Sequence, residues 1–221
     1  LDIKRIVEIG HSKNCIVGIE LAHGAGNINP NLHDSGVDFA AWCTYKYLNS
    51  GPGSLAGLFV HEKHSKNKDL PRFSGWWNHN KKTRFNMRQP FDVMQGAEGW
   101  QLSNPPILSM AAIKASLDLF DKIGMDALRK KSEKLTGYFE FLINQINSDD
   151  IKIITPKNPK ERGCQLSIQV KNADKSLHKK LTENNIITDW REPDVIRCAP
   201  VPMYNSFEDV YRMVSILKFL L

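Results

Sequence analysis

Three short apolar runs near the start of the chain constrain its fold more than any other feature. They are Cys15-Ile16-Val17-Gly18-Ile19-Glu20, Asp38-Phe39-Ala40-Ala41-Trp42-Cys43-Thr44 and Ser54-Leu55-Ala56-Gly57-Leu58-Phe59-Val60, and each has the length of a strand. The first ends in an acid and reads as a buried parallel strand with a polar group at its carboxyl end. Before it, residues 2–11 read as the end of a helix, with Ile3, Ile6, Val7 and Ile9 on one side. A helix–strand–linker–strand order predicts an open α/β sheet. In such sheets ligands bind outside the carboxyl ends of the strands. Glu20, His23 and Lys46 all follow strand ends, so the order of elements directs them towards one place.

Lys46 stands out among them. It sits in Trp42-Cys43-Thr44-Tyr45-Lys46-Tyr47-Leu48-Asn49, which opens into Gly51-Pro52-Gly53. Burial disfavours an ammonium, so a lysine in such surroundings is a candidate nucleophile for an aldehyde. That is how enzymes hold pyridoxal phosphate, which then serves as an electron sink. The plainer reading is a snorkelling lysine at a strand end, its stem buried and its head in water.

The rest of the chain gives the organisation. Residues 65–104 are rich in Trp, Asn, Arg and Gly without a period, and a long irregular stretch in a compact domain is more often functional than filler. Pro105-Pro106 opens a helix over Ile107–Phe120 that Gly124 breaks, and an amphipathic helix follows from Met125 to Ile146. Strands are predicted at 151–154, 164–170, 186–188 and 195–199, and helices at 174–183 and 207–221. The expected domains are residues 1–105 as part of a large α/β domain, 106–147 as linking helices, and 148–221 as a small α+β domain.

Composition narrows the function classes. With 221 residues and 41% hydrophobic content the chain can bury a substantial core. The net charge of +6 is spread among acids, as in Lys130-Lys131-Ser132-Glu133-Lys134, which reads as a solvated helix face. A basic nucleic-acid module would also show a zinc, helix-turn-helix or RNP signature, and the sequence has none. Cys15, Cys43, Cys164 and Cys198 lie far apart in apolar stretches and read as free buried thiols in a reducing compartment. No metal site is expected. No apolar run has the length of a membrane span. The chain begins at Leu1 without a signal region and reads as a fragment whose upstream part is absent.

A pyridoxal enzyme needs a lysine for the aldehyde, an acid for the pyridine nitrogen, phosphate donors, a cover for the ring and a cation for the substrate carboxylate. Lys46 supplies the first. Glu20 is a candidate for the second, or an ordinary surface acid. His23 is a ligand contact or a capping histidine. Tyr45 is a phosphate donor or a core aromatic.

Several segments together resemble the kynureninase family. They are Glu20-Leu21-Ala22-His23-Gly24-Ala25-Gly26-Asn27, Val37 to Asn49, His61-Glu62-Lys63-His64, Gly75-Trp76-Trp77 and Thr83-Arg84-Phe85. Leu102-Ser103-Asn104-Pro105-Pro106, Arg162 to Leu166 and Ile196 to Phe207 complete the set, in the same order along the chain. The resemblance implies fold-type I of the pyridoxal enzymes: the later part of the large α/β domain plus a small C-terminal α+β domain. It implies a pyridoxal 5'-phosphate enzyme of tryptophan catabolism and NAD biosynthesis. Such an enzyme hydrolytically cleaves the Cβ–Cγ bond of kynurenine or 3-hydroxykynurenine to anthranilate or 3-hydroxyanthranilate plus alanine.

The resemblance also assigns roles. Lys46 bonds the cofactor, Tyr45 contacts its phosphate, and His23 lines the site. Trp76 and Asn104 reach the cofactor or substrate across a homodimer interface. Arg197 pairs with the substrate α-carboxylate, a task suited to its planar fork. The location implied is the cytosol. Glu20 departs from the family, which has an aspartate there, and the family's upstream half, with its ring-stacking aromatic and most of its phosphate loop, has no counterpart in this chain. Two alternatives stand beside this reading: another fold-type I enzyme, cysteine desulfurase-like or aminotransferase-like, and a truncated non-catalytic fragment.

Overall fold

The chain opens with helix α1, Ile3–Ser12, capped by Asp2, whose carboxylate accepts the Arg5 amide at 3.0 Å. Val7 is its core residue and Ile3 packs beside it, whereas Ile6 and Ile9 are exposed. The apolar side of this helix is thus narrower than the four residues expected. The computed structural model describes residues 1–86 and 90–221. Positions 87–89 of the irregular stretch lie outside the described residues. The chain divides into two compact units, Leu1–Lys122 and Ile123–Leu221.

In the first unit, strands β1 (Gly18–Glu20), β2 (Phe39–Cys43) and β3 (Ala56–Val60) form a sheet in that order. β1 runs parallel to β2, with Glu20 opposite Ala41, and β3 returns antiparallel, with Cys43 opposite Ala56. The predicted α/β sheet is present as a mixed sheet. β1 is parallel as expected but is not buried: Gly18 and Glu20 are exposed. The cause is its edge position and its single covered face. Val7, Leu21, Val37 and Ala40 form the core on that side, while Phe39 and Leu58 stay open on the other. Helix α2, Ile107–Ile123, follows Pro105-Pro106 as the sequence predicts.

The second unit begins with Gly124, at φ +82°, leading into helix α3, Met125–Asn144. Strands β4 (Ile151–Ile153), β5 (Leu166–Val170), β6 (Asp189–Arg191) and β7 (Val195–Cys198) make an antiparallel sheet ordered β4-β5-β7-β6. Helix α4 is Lys175–Glu183 and helix α5 is Phe207–Leu220. Burial along β5 alternates, with Leu166, Ile168 and Val170 inward against Leu135, Phe139, Leu181 and Leu217. Each such side chain contributes roughly 1.5–3 kcal/mol on leaving water. A reciprocal cap starts α5: Ser206 Oγ accepts the Asp209 amide at 3.1 Å, and Asp209 accepts the Ser206 amide at 2.8 Å.

One strand expectation fails. Residues 186–188 are not a strand, and the ladder begins at Asp189. Asn185 adopts φ +59° and the Ile186 amide bonds the Leu181 carbonyl at 2.9 Å, so this segment still closes α4.

Candidate functional site

Lys46 leaves the carboxyl end of β2 in a loop pinned at several points. Thr44, 1% exposed, accepts from Ser50 Oγ at 2.7 Å, lies 3.1 Å from Ser54 Oγ and bonds the Leu55 carbonyl. Asn49, Gly51 and Gly53 take positive φ, which turns the chain tightly back towards β3. Helix α2 holds the far side: Ser116 donates to the Leu48 carbonyl and Ser109 donates to the Gly53 carbonyl at 3.3 Å. Lys46 itself is half-buried on this fixed loop.

The turn after β1 lies against that loop. The Leu21 amide extends the parallel ladder by bonding the Ala41 carbonyl at 2.9 Å. The His23 and Tyr47 rings meet edge to face, 5.9 Å between centroids. Glu20 Oε1 accepts the Ala22 amide at 2.7 Å, which folds the carboxylate over its own turn. Tyr45 is 51% exposed, so it is not a core aromatic. The Cys43 thiol at its hydroxyl, and more weakly the charge of Glu20, raise the Tyr45 phenol above its ordinary range. Parallel pairing therefore brings Glu20, His23 and Lys46 to the same end of one sheet, as the order of elements predicts, with Tyr45 next to Lys46 in the chain.

The segments that carry Trp76 and Asn104 are joined within the irregular stretch through their neighbours. The Trp77 amide bonds the Leu102 carbonyl at 3.2 Å, and a Cβ on Gly75 would sit 2.3 Å from that oxygen. Trp76 is 43% exposed and packs edge to face on Phe85 at 5.1 Å, while Asn104 is exposed just before α2. The organiser of this segment is Asn78, which is fully buried. It accepts the Gly75 amide at 2.8 Å and donates to the Phe73 and Gly99 carbonyls at 2.9 and 3.2 Å.

Arg197 belongs to the second unit, on β7. Its cross-strand partners are Ser167 on β5 and Asp189 on β6. Its Nε donates to Asp189 Oδ2 at 2.8 Å and its Nη2 bonds the same oxygen. Its side chain is partly exposed beside that pair.

With the geometry in place, the relatives decide the family. Residues 128–217 match the family described as kynureninase C-terminal domain. A kynureninase from Myxococcus xanthus is 56% identical over 98% of this chain and 51% of its own length. One from Flavobacterium psychrophilum is 52% identical, again over 98% of this chain and 52% of its own length. The chain is a kynureninase homologue. It spans about half the length of the curated kynureninases it matches.

Solved structures agree on the fold. A cysteine desulfurase from Escherichia coli superposes with a TM-score of 0.78 at 15% identity, covering 99% of this chain and 55% of that one. An alanine–glyoxylate aminotransferase from Nostoc gives 0.69 at 17%, covering 97% and 56%. The fold is that of the fold-type I pyridoxal enzymes, and the sequence identity places the chain with the kynureninases within it.

Three features of this kynureninase homologue escape sequence reasoning. Asn78 and Ser116 act through long-range bonds to backbone carbonyls and carry no local signal. The third is Asp38, 3% exposed at the start of β2. It is met by His11 at 2.8 Å, the Val17 amide at 2.7 Å, Lys63 at 2.6 Å and His64 at 2.8 Å. Burial by itself would raise this carboxyl, but the Lys63, Val17, His11 and His64 bonds outweigh it and hold the group well below the usual carboxylate range. The thiols also differ from expectation. Cys164 and Cys198 are buried, and burial pushes Cys198 up to about 12, whereas Cys15 is exposed and Cys43 half-buried. Among the described residues no group of three or more His, Cys, Asp or Glu is arranged to hold a metal ion, and no helix is long and apolar enough to cross a membrane.

Proposed function

We propose that this chain carries the lysine, acid and arginine of a pyridoxal 5'-phosphate-dependent kynureninase, a C–C hydrolase acting on kynurenine or 3-hydroxykynurenine. The carrying observation is that Glu20 is the last residue of β1 and Lys46 follows the carboxyl end of the parallel strand β2, with Tyr45 and His23 next to them in the chain. An amine, a carboxylate, a phenol and an imidazole at one end of the sheet supply part of the donor set this cofactor requires. The 56% identity to the Myxococcus kynureninase supports the same assignment.

Each residue has a task in this reading. Lys46 holds the cofactor through its amine and, once released, moves the proton at the substrate α-carbon. The Thr44–Ser50–Ser54 network keeps that amine on a fixed base. Glu20 keeps the proton on the pyridine nitrogen. Tyr45 contacts the phosphate and His23 lines the pocket. Trp76 and Asn104 serve a site shared across a homodimer. Arg197 binds the α-carboxylate. The cofactor, when bound, supplies the electron sink for cleaving the Cβ–Cγ bond. The setting is cytosolic tryptophan catabolism towards NAD, and domains of 1–105, 106–147 and 148–221 remain our assignment for the intact enzyme. A desulfurase needs a cysteine on a mobile loop, a role that the buried Cys164 and Cys198 do not fill.

The test is to add pyridoxal phosphate to the purified chain, reduce with borohydride and map the adducts by mass spectrometry. A single adduct on Lys46, followed by turnover of 3-hydroxykynurenine, is the expected result. Labelling scattered over exposed lysines, or none, overturns the reading for this chain and leaves the non-catalytic alternative.

A further inference from the structure

We propose that Asp189 is a positioning residue for substrate recognition: it grips one edge of the Arg197 guanidinium and turns the other edge towards the carboxylate of an α-amino acid. This rests on Arg197 being the carboxylate anchor. The two residues are direct cross-strand partners on β6 and β7. Asp189 Oδ2 takes both Nε, at 2.8 Å, and Nη2 of Arg197, which are the two donors on one side of the planar fork. Among the described residues nothing bonds Nη1, and the arginine side chain is 25% exposed. The Nη1/Nη2 edge is therefore presented to an incoming carboxylate, which can take it in the paired geometry of an arginine–carboxylate contact.

An anion beside the anchor also repels a second carboxylate, and the structure indicates which effect is larger. Arg191 Nη2 shares the same Asp189 oxygen at 3.0 Å, so two guanidinium groups face one carboxylate and the cluster stays cationic. At side chains 25% and 45% exposed the repulsion is screened, whereas an unsupported arginine must be ordered at each binding event.

The experiment compares Asp189→Ala, Asp189→Glu and Arg197→Gln in the holoenzyme. Asp189→Ala should raise KM for kynurenine about tenfold, by more than it lowers kcat. Binding of the decarboxylated amine analogue should change less than twofold, and Asp189→Glu should recover part of the loss. Thermal unfolding, monitored in parallel, should shift little for this half-exposed edge-strand residue. An unchanged or lowered KM in Asp189→Ala, with a raised KM in Arg197→Gln, overturns the positioning role while keeping the anchor. An unchanged KM in Arg197→Gln overturns the anchor itself, and the proposal with it.

Discussion

A Cβ built on Gly26 would lie 2.8 Å from the Tyr47 carbonyl oxygen, so the turn that carries His23 and the loop that carries Lys46 meet backbone to backbone. Gly26 also adopts φ +77°, where a side chain is strained. Gly26→Ala should therefore cost about 1–3 kcal/mol and lower the unfolding midpoint by several degrees. Because the strain falls between the two halves of the site, borohydride labelling of Lys46 should fall too. A variant with a wild-type midpoint and wild-type labelling would refute the coupling.

Asp38 gives a pH prediction. Its folded-state pKa is depressed, so its contribution is present above the unfolded carboxylate pKa near 3.8 and is lost as pH falls from there through the lower folded value. Asp38→Asn removes the charge that His11, Lys63 and His64 share. The loss should be about 3 kcal/mol near neutrality. Denaturant titrations of both proteins should show that gap narrowing below about pH 4. A gap that is constant, or that widens in acid, would contradict the assignment.

What could be read from sequence was whatever depends on chain order. Strand-end positions put Glu20, His23 and Lys46 together because parallel pairing of β1 and β2 follows from apolar runs and a linker. What escaped depends on distant partners. Asn78 looks like any loop asparagine until Phe73, Gly75 and Gly99 surround it. The apolar pair Ile186-Ile187 suggested a strand, yet Ile187 is 82% exposed while the adjoining ladder buries Trp190 instead. Local hydrophobicity cannot tell a helix exit from a strand when αL closure at Asn185 decides where the ladder starts.

Asn78→Ala tests whether the irregular stretch is one folded piece. The substitution leaves the Gly75 amide and two carbonyls without their partner in a fully buried place, at a cost of about 3 kcal/mol. Limited proteolysis should then cut between Phe73 and Trp100 sooner than in the wild type, before any cut in the second unit. Unaltered cleavage kinetics would mean that other contacts hold this segment.

Glu20 offers the sharpest separation of structure from chemistry. Its Oε1 accepts the Ala22 amide at 2.7 Å, a bond that a glutamine oxygen makes equally well. Glu20→Gln therefore keeps the turn and removes only the charge. If Glu20 serves the pyridine nitrogen, kcat should drop about a hundredfold or more with the unfolding midpoint unchanged. Glu20→Asp keeps the charge on a shorter stem, and should retain far more activity than glutamine. Equal activity in the glutamine variant and the wild type would make Glu20 a turn-closing residue and send the search for the acid elsewhere.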